Sequence, residues 1–469
     1  MIQPRSHTFK PGNQGILFAL AGLALLLRLL PLLRPGDAWT LLDDSQEYLT
    51  LVRGMHSGCG FARMVDGVCR SPELLRLPAY PFFVAILPNL RTVVAIQALL
   101  GAATCLVIGL FTCARWGLAA GVLAETLLAL DIPSIVASST IMSDSVFQAV
   151  LALAVVLQLS AIGRHWGGRG FVALALLAAV FVGFAVLLRA VAIVLPLFAG
   201  APFLLMPRLA AKRRLALGAI AILIPAAVML AWTARNHTRT GRWTFTTEGT
   251  YNLYYYNSAG VLWYLHGGSL TALQDRLGRA IGASGPDEFV SPDQEREMFA
   301  RSCGVLLRHP LAAFVMLVRC LLWLAIVPDR ANLNAVLGTN ARSSVFLIAS
   351  QNLALRVRET LRSPLLSAFV ALQVPLIIFT WIGVALVLAQ HSWRTRDQLA
   401  LIVIPLGLAV AMMLAGAGPG AIARFRMPAT PFLAMLAGAG WTQTVARRAG
   451  SRAFAAIAPK LVVRATQHA

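Results

Sequence analysis

The sequence predicts an all-α polytopic membrane protein, a bundle of about 10–12 transmembrane helices, with two long loops on one face that carry short interfacial helices. Three observations carry this. The 469 residues are 58% hydrophobic and only 13% charged, where a soluble domain has about 25% charged residues. Mean hydropathy is +0.73. A spanning helix needs roughly 20 mostly apolar residues, and eleven windows of that kind lie near 15–33, 92–112, 117–137, 145–163, 171–188, 190–206, 215–234, 311–328, 366–390, 398–415 and 429–445.

In chain order, residues 1–14 read as a short cytoplasmic tail and 15–447 as the integral membrane domain. The first window is expected to span the bilayer rather than to be cut as a leader. It leads into an outer loop over 34–91. Within that loop Ala79–Leu90 is apolar but too short to cross, and reads as a helix lying at the interface. Six windows then alternate tightly up to a second outer loop, 235–310. Beyond it the window 311–328 holds Arg319 and ends at Pro328. If it crosses, the basic turn 391–397 and the basic segment 448–469 face outward. If it does not, 328–365 stays outside as a third loop and both basic segments face the cytoplasm, which the positive-inside rule favours. A short crossing within 343–355 restores the same parity.

The net charge of +21 suits nucleic acid in a soluble protein. Here the basic residues gather in short loops between windows, among them Arg115, Arg164, Arg169, Lys212, Arg213 and Arg214. That is the pattern of cytoplasmic loops, and no nucleic-acid partner is expected. The acids are complementary: of 19, six lie in 34–91 and seven in 235–310, so chemistry is sought on that face. Cys59 and Cys69 share the first outer loop, where an oxidising compartment favours a local disulfide over two free thiols. Cys105, Cys113 and Cys320 lie in or beside apolar windows and read as packing residues.

Ionisable residues at a membrane face point to function. Leu42-Asp43-Asp44-Ser45-Gln46-Glu47-Tyr48 places three carboxylates just outside the first window. Starting a helix there makes Asp44 an N-cap and sets Asp44 and Glu47 on one face. A carboxylate so placed can act as general base or ligate a divalent cation holding a phosphate; capping is the ordinary alternative. Asp144, in Ser143-Asp144-Ser145, is the single charge between Pro133 and Arg164, with the same two readings. Arg76, Arg189, Arg235, Arg424 and Arg426 fall on the same face, where guanidinium groups suit phosphate oxygens or snorkel to lipid phosphate. The stretch Trp243–Tyr256, which includes Asn252, suits sugar rings or an aromatic belt.

These residues resemble the landmarks of GT-C superfamily membrane glycosyltransferases, in the protein mannosyltransferase and aminoarabinose transferase branch. The opening loop Leu42–Phe61 is similar to their first acidic motif and Gly-x-Gly-Phe turn. Arg76-Leu77-Pro78-Ala79-Tyr80-Pro81 is similar to an Arg-x-Pro-x-Tyr-Pro element, and Ser139–Phe147 to a second acidic motif. Leu188–Pro196, Trp232–Asn236 and Arg424–Pro431 follow in order. The resemblance implies a GT-C-like bundle in a bacterial inner (cytoplasmic) membrane with its site on the periplasmic face. It implies an inverting transfer from a polyprenyl-phosphate sugar to an envelope acceptor. Asp44 would be the base and Asp144 would orient a substrate. Arg76, Arg189 and Arg235 would hold the donor phosphate. Asp43, Glu47, Tyr48, Tyr80, Asn236 and Asn252 would line the substrates. A divalent cation, Mg or Mn, would sit on Asp44 and Asp144 if anywhere. Ser45 stands where several members carry Glu, a departure that bears on the metal, and Asp43 leaves the register open by one residue. The departing phosphate is already anionic, so no general acid is required.

A multi-pass transporter or flippase of an envelope precursor is the rival class. It would place substrate groups near the midplane, on broken helices and internal repeats. Arg28 and Glu125 are the main charges inside windows, no internal repeat is visible, and the acids gather in loops instead. A non-catalytic scaffold would leave the acids and arginines without a purpose.

Overall fold

The computed structural model describes residues 14–37, 40–162, 169–205, 210–283, 291–328, 330–337, 363–390, 396–419 and 422–465. Residues 1–13 of the expected tail 1–14, most of the loop 328–365, the turn 391–395 and side chains beyond 448 lie outside the described residues. So do the side chains of Asp43, Arg164 and Arg169.

The protein is an all-α polytopic membrane protein. α1 (Gly15–Leu29) leads to α2 (Asp43–His56), a hairpin of β1 (Ala62–Val65) and β2 (Val68–Pro72), and α3 (Ala79–Ala85). α4 (Leu90–Trp116), α5 (Leu118–Ala129), α6 (Ile132–Ser139), α7 (Asp144–Ile162), α8 (Arg169–Val186), α9 (Leu195–Leu205) and α10 (Ala211–Thr240) build the first half of the bundle. The loop 235–310 holds α11 (Glu248–Asn252), α12 (Ala259–His266), α13 (Leu270–Ala280) and α14 (Pro292–Arg308). α15 (Pro310–Ile326), α16 (Arg330–Leu337) and three long helices, Pro364–Ala389, Arg396–Gly416 and Thr430–Ala465, complete it.

Fewer of the described helices than windows have the length and apolarity of a full crossing. Among the described residues six helices are long and apolar enough to cross, and eight if two bent pairs each count once. Gly170–Val186 and Ala190–Ala201 are apolar but shorter. The physical reasons are local. Window 117–137 bends by 54° between α5 and α6, where Asp131 caps α6 by accepting from Ser134 N–H at 3.1 Å and Pro133 follows. Window 311–328 is α15, which meets the charged helix α14 at 97° across His309-Pro310, and proline is at home in a first helical turn.

Buried Arg28, inside α1, is explained by that same break. It donates to Leu128 O at 3.3 Å and Ala129 O at 3.4 Å, the end carbonyls of α5 that the bend leaves without helical partners. Glu125 is buried against Gly109. The first turns of the last helix, Thr430–Ala465, run buried through the middle of the bundle. Small residues let backbones approach there: a Cβ at Gly440 would lie 2.0 Å from Gly383 O, and one at Gly438 2.5 Å from Ala120 O.

The loop 34–91 is more ordered than its sequence implied. Asp66 and Gly67 both take positive φ, 51° and 76°, the requirement of a two-residue hairpin turn. Cys59 and Cys69 form the expected disulfide across this hairpin. Gly54 lets α2 lie on β1, since a Cβ there would meet Ala62 O at 1.9 Å. The short apolar helix α3 buries Tyr80, Pro81 and Val84 and exposes Phe82, as an interfacial helix should.

Candidate active site

The site begins with a capping detail. α2 starts two residues earlier than expected, with Leu42 at the N-cap. Ser45 does the capping: its Oγ accepts from Leu42 N–H at 2.9 Å and donates to Ile141 O at 3.0 Å. Asp44 is therefore no cap. Its carboxylate is left to side chains, on the same face as Glu47.

Arginines from three separate segments occupy it. Arg76 donates from Nη2 to Asp44 Oδ1 at 3.1 Å and from Nε to Glu47 Oε2 at 2.9 Å. Arg424, in the turn before the last helix, donates to Asp44 Oδ2 at 2.5 Å. Its Nε lies 3.9 Å from Asp144 Oδ1, and Asp144 Oδ1 is paired with Arg189. Asp144 Oδ2 is buried without a partner. Asp44, Asp144 and Arg189 thus come together, with the ends of the elements bearing them tied at one end of the bundle. Glu73 sets Arg76: Glu73 Oε1 accepts from the N–H groups of Leu75 at 2.6 Å and Arg76 at 3.0 Å, and Oε2 from Arg63 Nε at 2.5 Å. Arg63 also reaches Glu47 Oε2 at 2.8 Å.

Electrostatics follow from this packing. Partial burial pushes the Asp44 carboxyl up, but Arg424 and Arg76 outweigh it and hold it well below the usual carboxylate range. Glu47 is lowered in the same way, burial opposing and Arg76 and Arg63 prevailing. Arg424 is raised, burial being outweighed by Asp44 and Asp144. The Asp144 side chain is 1% exposed and that of Asp44 24%, so Asp44 is the carboxylate an incoming group can reach.

Other candidates fall elsewhere. Tyr48 and Tyr80 do not offer a substrate surface. They are 5% and 0% exposed, stacked edge to face at 4.8 Å. Their hydroxyls bond to Ser143 Oγ at 3.2 Å and Gln97 Oε1 at 2.8 Å; they support the acids from beneath. Asn236 is fully buried and donates to Thr244 O at 2.9 Å and Phe245 O at 3.2 Å, which spends its amide on the loop 235–310. Arg235 does not join the other arginines. Its guanidinium lies over the rings of Trp232 at 4.8 Å and Phe61 at 5.5 Å, a cation–π arrangement. Asn252 is exposed, its carbonyl accepting from Asn257 at 3.4 Å.

Two groups at the centre were not given a role from the sequence. Arg424 was one of five arginines placed on that face and part of the Arg424–Pro431 landmark, and pairing with Asp44 is not readable from that. Glu248, at the start of α11, was one acid among seven in its loop. Its segment docks beside Arg76: Thr247 N–H donates to Leu74 O at 3.0 Å and Thr246 Oγ1 to Leu75 O at 2.8 Å.

The acids do not make a cation site. Divalent cations need several free oxygens, and three of the four carboxylate oxygens of Asp44 and Asp144 already face guanidinium groups. Among the described residues no group of three His, Cys, Asp or Glu side chains is arranged to hold a metal. Converging guanidinium groups offer hydrogen-bond donors of the kind that phosphate oxygens accept.

Fold and site together define a multi-pass membrane protein with carboxylates and guanidinium groups gathered at one end of its helix bundle. No family model matches the chain, and no curated protein matches it. Solved structures do. The oligosaccharyltransferase AglB from Archaeoglobus fulgidus, in complex with an inhibitory peptide and a dolichol-phosphate, is 14% identical. The match covers 94% of this chain and 51% of that one, with a TM-score of 0.50. Its apo form is 17% identical over 92% of this chain and 51% of that one, with a TM-score of 0.50. ArnT from Cupriavidus metallidurans bound to undecaprenyl phosphate is 15% identical, over 95% and 80% of the two chains, with a TM-score of 0.41. The chain thus has the membrane fold of AglB and spans about half of AglB's length.

Proposed function

We propose that this protein is an inverting glycosyltransferase. It moves a sugar from a polyprenyl-phosphate donor to a hydroxyl of an envelope glycan, lipid or protein, at the outer face of a bacterial inner membrane. The observation that carries this is the meeting of Asp44, Asp144, Arg76, Arg189 and Arg424 at one end of the bundle. The fold shared with AglB, crystallised with a dolichol-phosphate, supports it.

The chemistry follows from the pairing. With no donor, the arginines and acids satisfy one another. A donor phosphate competes for Arg424 and Arg189 as a second anion. As Arg424 turns to it, Asp44 loses the partner that holds its proton affinity lowest, and becomes a better base. The acceptor hydroxyl approaches Asp44 while the phosphate is held by arginines on the opposite side of the sugar. Asp44 takes the hydroxyl proton as the new glycosidic bond forms and the bond to phosphate breaks. Fixed cations at the departing phosphate stabilise the charge that develops there.

The test is transfer in proteoliposomes supplied with a polyprenyl phosphate sugar and the membrane's own acceptors. Asp44→Asn is expected to abolish transfer while the protein still inserts and folds. Transfer at the wild-type rate by that variant would overturn the assignment of Asp44, and absence of donor binding by the wild type would overturn the enzyme class.

A further inference from the structure

Among the described residues, Glu248 is a carboxylate of this site without an ion pair. Among the described side chains, Asp44, Glu47 and Asp144 are matched by Arg76, Arg189 and Arg424, and Glu73 by Arg63. Glu248 comes on top of a balanced set. Its own backbone N–H donates to Thr246 Oγ1 at 3.1 Å, and Thr246 and Thr247 are bonded to the Leu74 and Leu75 carbonyls, one and two residues before Arg76. That docking puts its carboxyl within Coulombic reach of Arg76, Arg189, Asp44 and Arg424. From α14, which packs against α11, Glu295 is already matched by Arg242.

A donor phosphate would add a negative charge to this balanced set. An ionised Glu248 would then be a further uncompensated charge in a partly buried site, which is unfavourable. We propose that Glu248 carries a proton in the donor-bound site, hydrogen-bonds through it to the donor phosphate, and passes it to that phosphate as the sugar leaves. This rests on the donor reading above and adds to it a general acid that the anionic leaving group does not by itself demand. The step balances. The acceptor oxygen bonds to the anomeric carbon and its proton goes to Asp44. The bond from that carbon to the phosphate oxygen breaks, its electron pair stays on the phosphate, and the phosphate takes the Glu248 proton. Asp44 ends neutral and Glu248 ends ionised. Burial pushes the Glu248 carboxyl above the usual range, Arg76 and Arg189 pull against it, and Asp44 adds to it.

Infrared spectroscopy of the full-length protein, with farnesyl phosphate as a soluble polyprenyl phosphate, reads the protonation state directly. With farnesyl phosphate bound at neutral pH, the difference between wild type and Glu248→Gln should contain a protonated-carboxyl stretch. A carboxylate stretch in its place overturns the proposal. Should Glu248→Gln fail to fold, Glu248→Asp serves, since it shifts the same band. With the sugar-loaded donor, Glu248→Gln should lower the transfer rate about 100-fold and leave farnesyl phosphate affinity within about threefold of wild type. The wild-type rate should fall as pH rises through the Glu248 titration, and the variant should lack that limb. A wild-type rate and pH profile in Glu248→Gln overturn the proposal. Failure of the wild type to bind farnesyl phosphate removes the donor reading itself, and this inference with it.

Discussion

Arg424 and Asp44 stand 380 residues apart in the chain and meet at 2.5 Å. Each holds the other charged: against the effect of burial, Arg424 lowers the Asp44 carboxyl and Asp44 raises the Arg424 guanidinium. The pair joins the loop 34–91 to the turn before the last helix, so it both closes the bundle and occupies the site.

Replacing Arg424 separates those roles. Arg424→Ala should weaken farnesyl phosphate binding by about 2 kcal/mol, the low end of what truncating one partner of a buried charge pair costs. Arg424→Lys should recover only part of this, because an ammonium cannot present a planar fork. Equilibrium titration of purified protein measures both, and unchanged affinity in Arg424→Ala would remove it from the phosphate site.

The lowered carboxyls of Asp44 and Glu47 set an acid limit. A group whose folded-state pKa is depressed contributes stability above its unfolded value, and that stability is lost as pH falls toward the folded one. Thermal stability in detergent should therefore hold from neutral pH down to about pH 5 and decline below about pH 4. Glu47→Gln should make that decline shallower.

The hairpin depends on its disulfide. Closing a loop of ten residues between Cys59 and Cys69 is worth about 2.5 kcal/mol in the chain-entropy account. The double variant Cys59→Ser with Cys69→Ser should become sensitive to protease between α2 and α3 while the bundle stays folded. Arg63 and Arg76 lose precise placement with it, so transfer should fall as well.

Glycine positions discriminate lipid-facing from packed helix faces. Gly440→Leu drives a side chain into Gly383 O and should destabilise by about 3 kcal/mol or more. Gly22→Leu has nothing within 4 Å of its Cβ and should be tolerated. Size-exclusion profiles after heating in detergent separate the two.

Much of this protein is legible in its sequence. Burial of apolar surface in lipid adds up residue by residue along a segment, so windows such as 92–112 and 398–415 mark helices that cross. The same local logic put the acids in two long loops, paired Cys59 with Cys69, and drew attention to Asp44 and Asp144. The Asp66-Gly67 turn was an available local signal for the hairpin.

Tertiary structure decided the rest, because those outcomes depend on which segment lies against which. Hydropathy cannot register that Asp131 and Pro133 break a window, or that Arg28 caps the broken end. Capping of α2 by Ser45, itself held by Ile141 O, left Asp44 free for Arg76 and Arg424. Tyr48, Tyr80 and Asn236 looked like substrate contacts by position, and packing buried them as supports. Arg235 was drawn onto two aromatic rings while Arg424 took the central place. Transfer free energies are properties of single residues and their neighbours in sequence. Ion pairs and hydrogen bonds are properties of pairs, and here the decisive pairs join opposite ends of the chain.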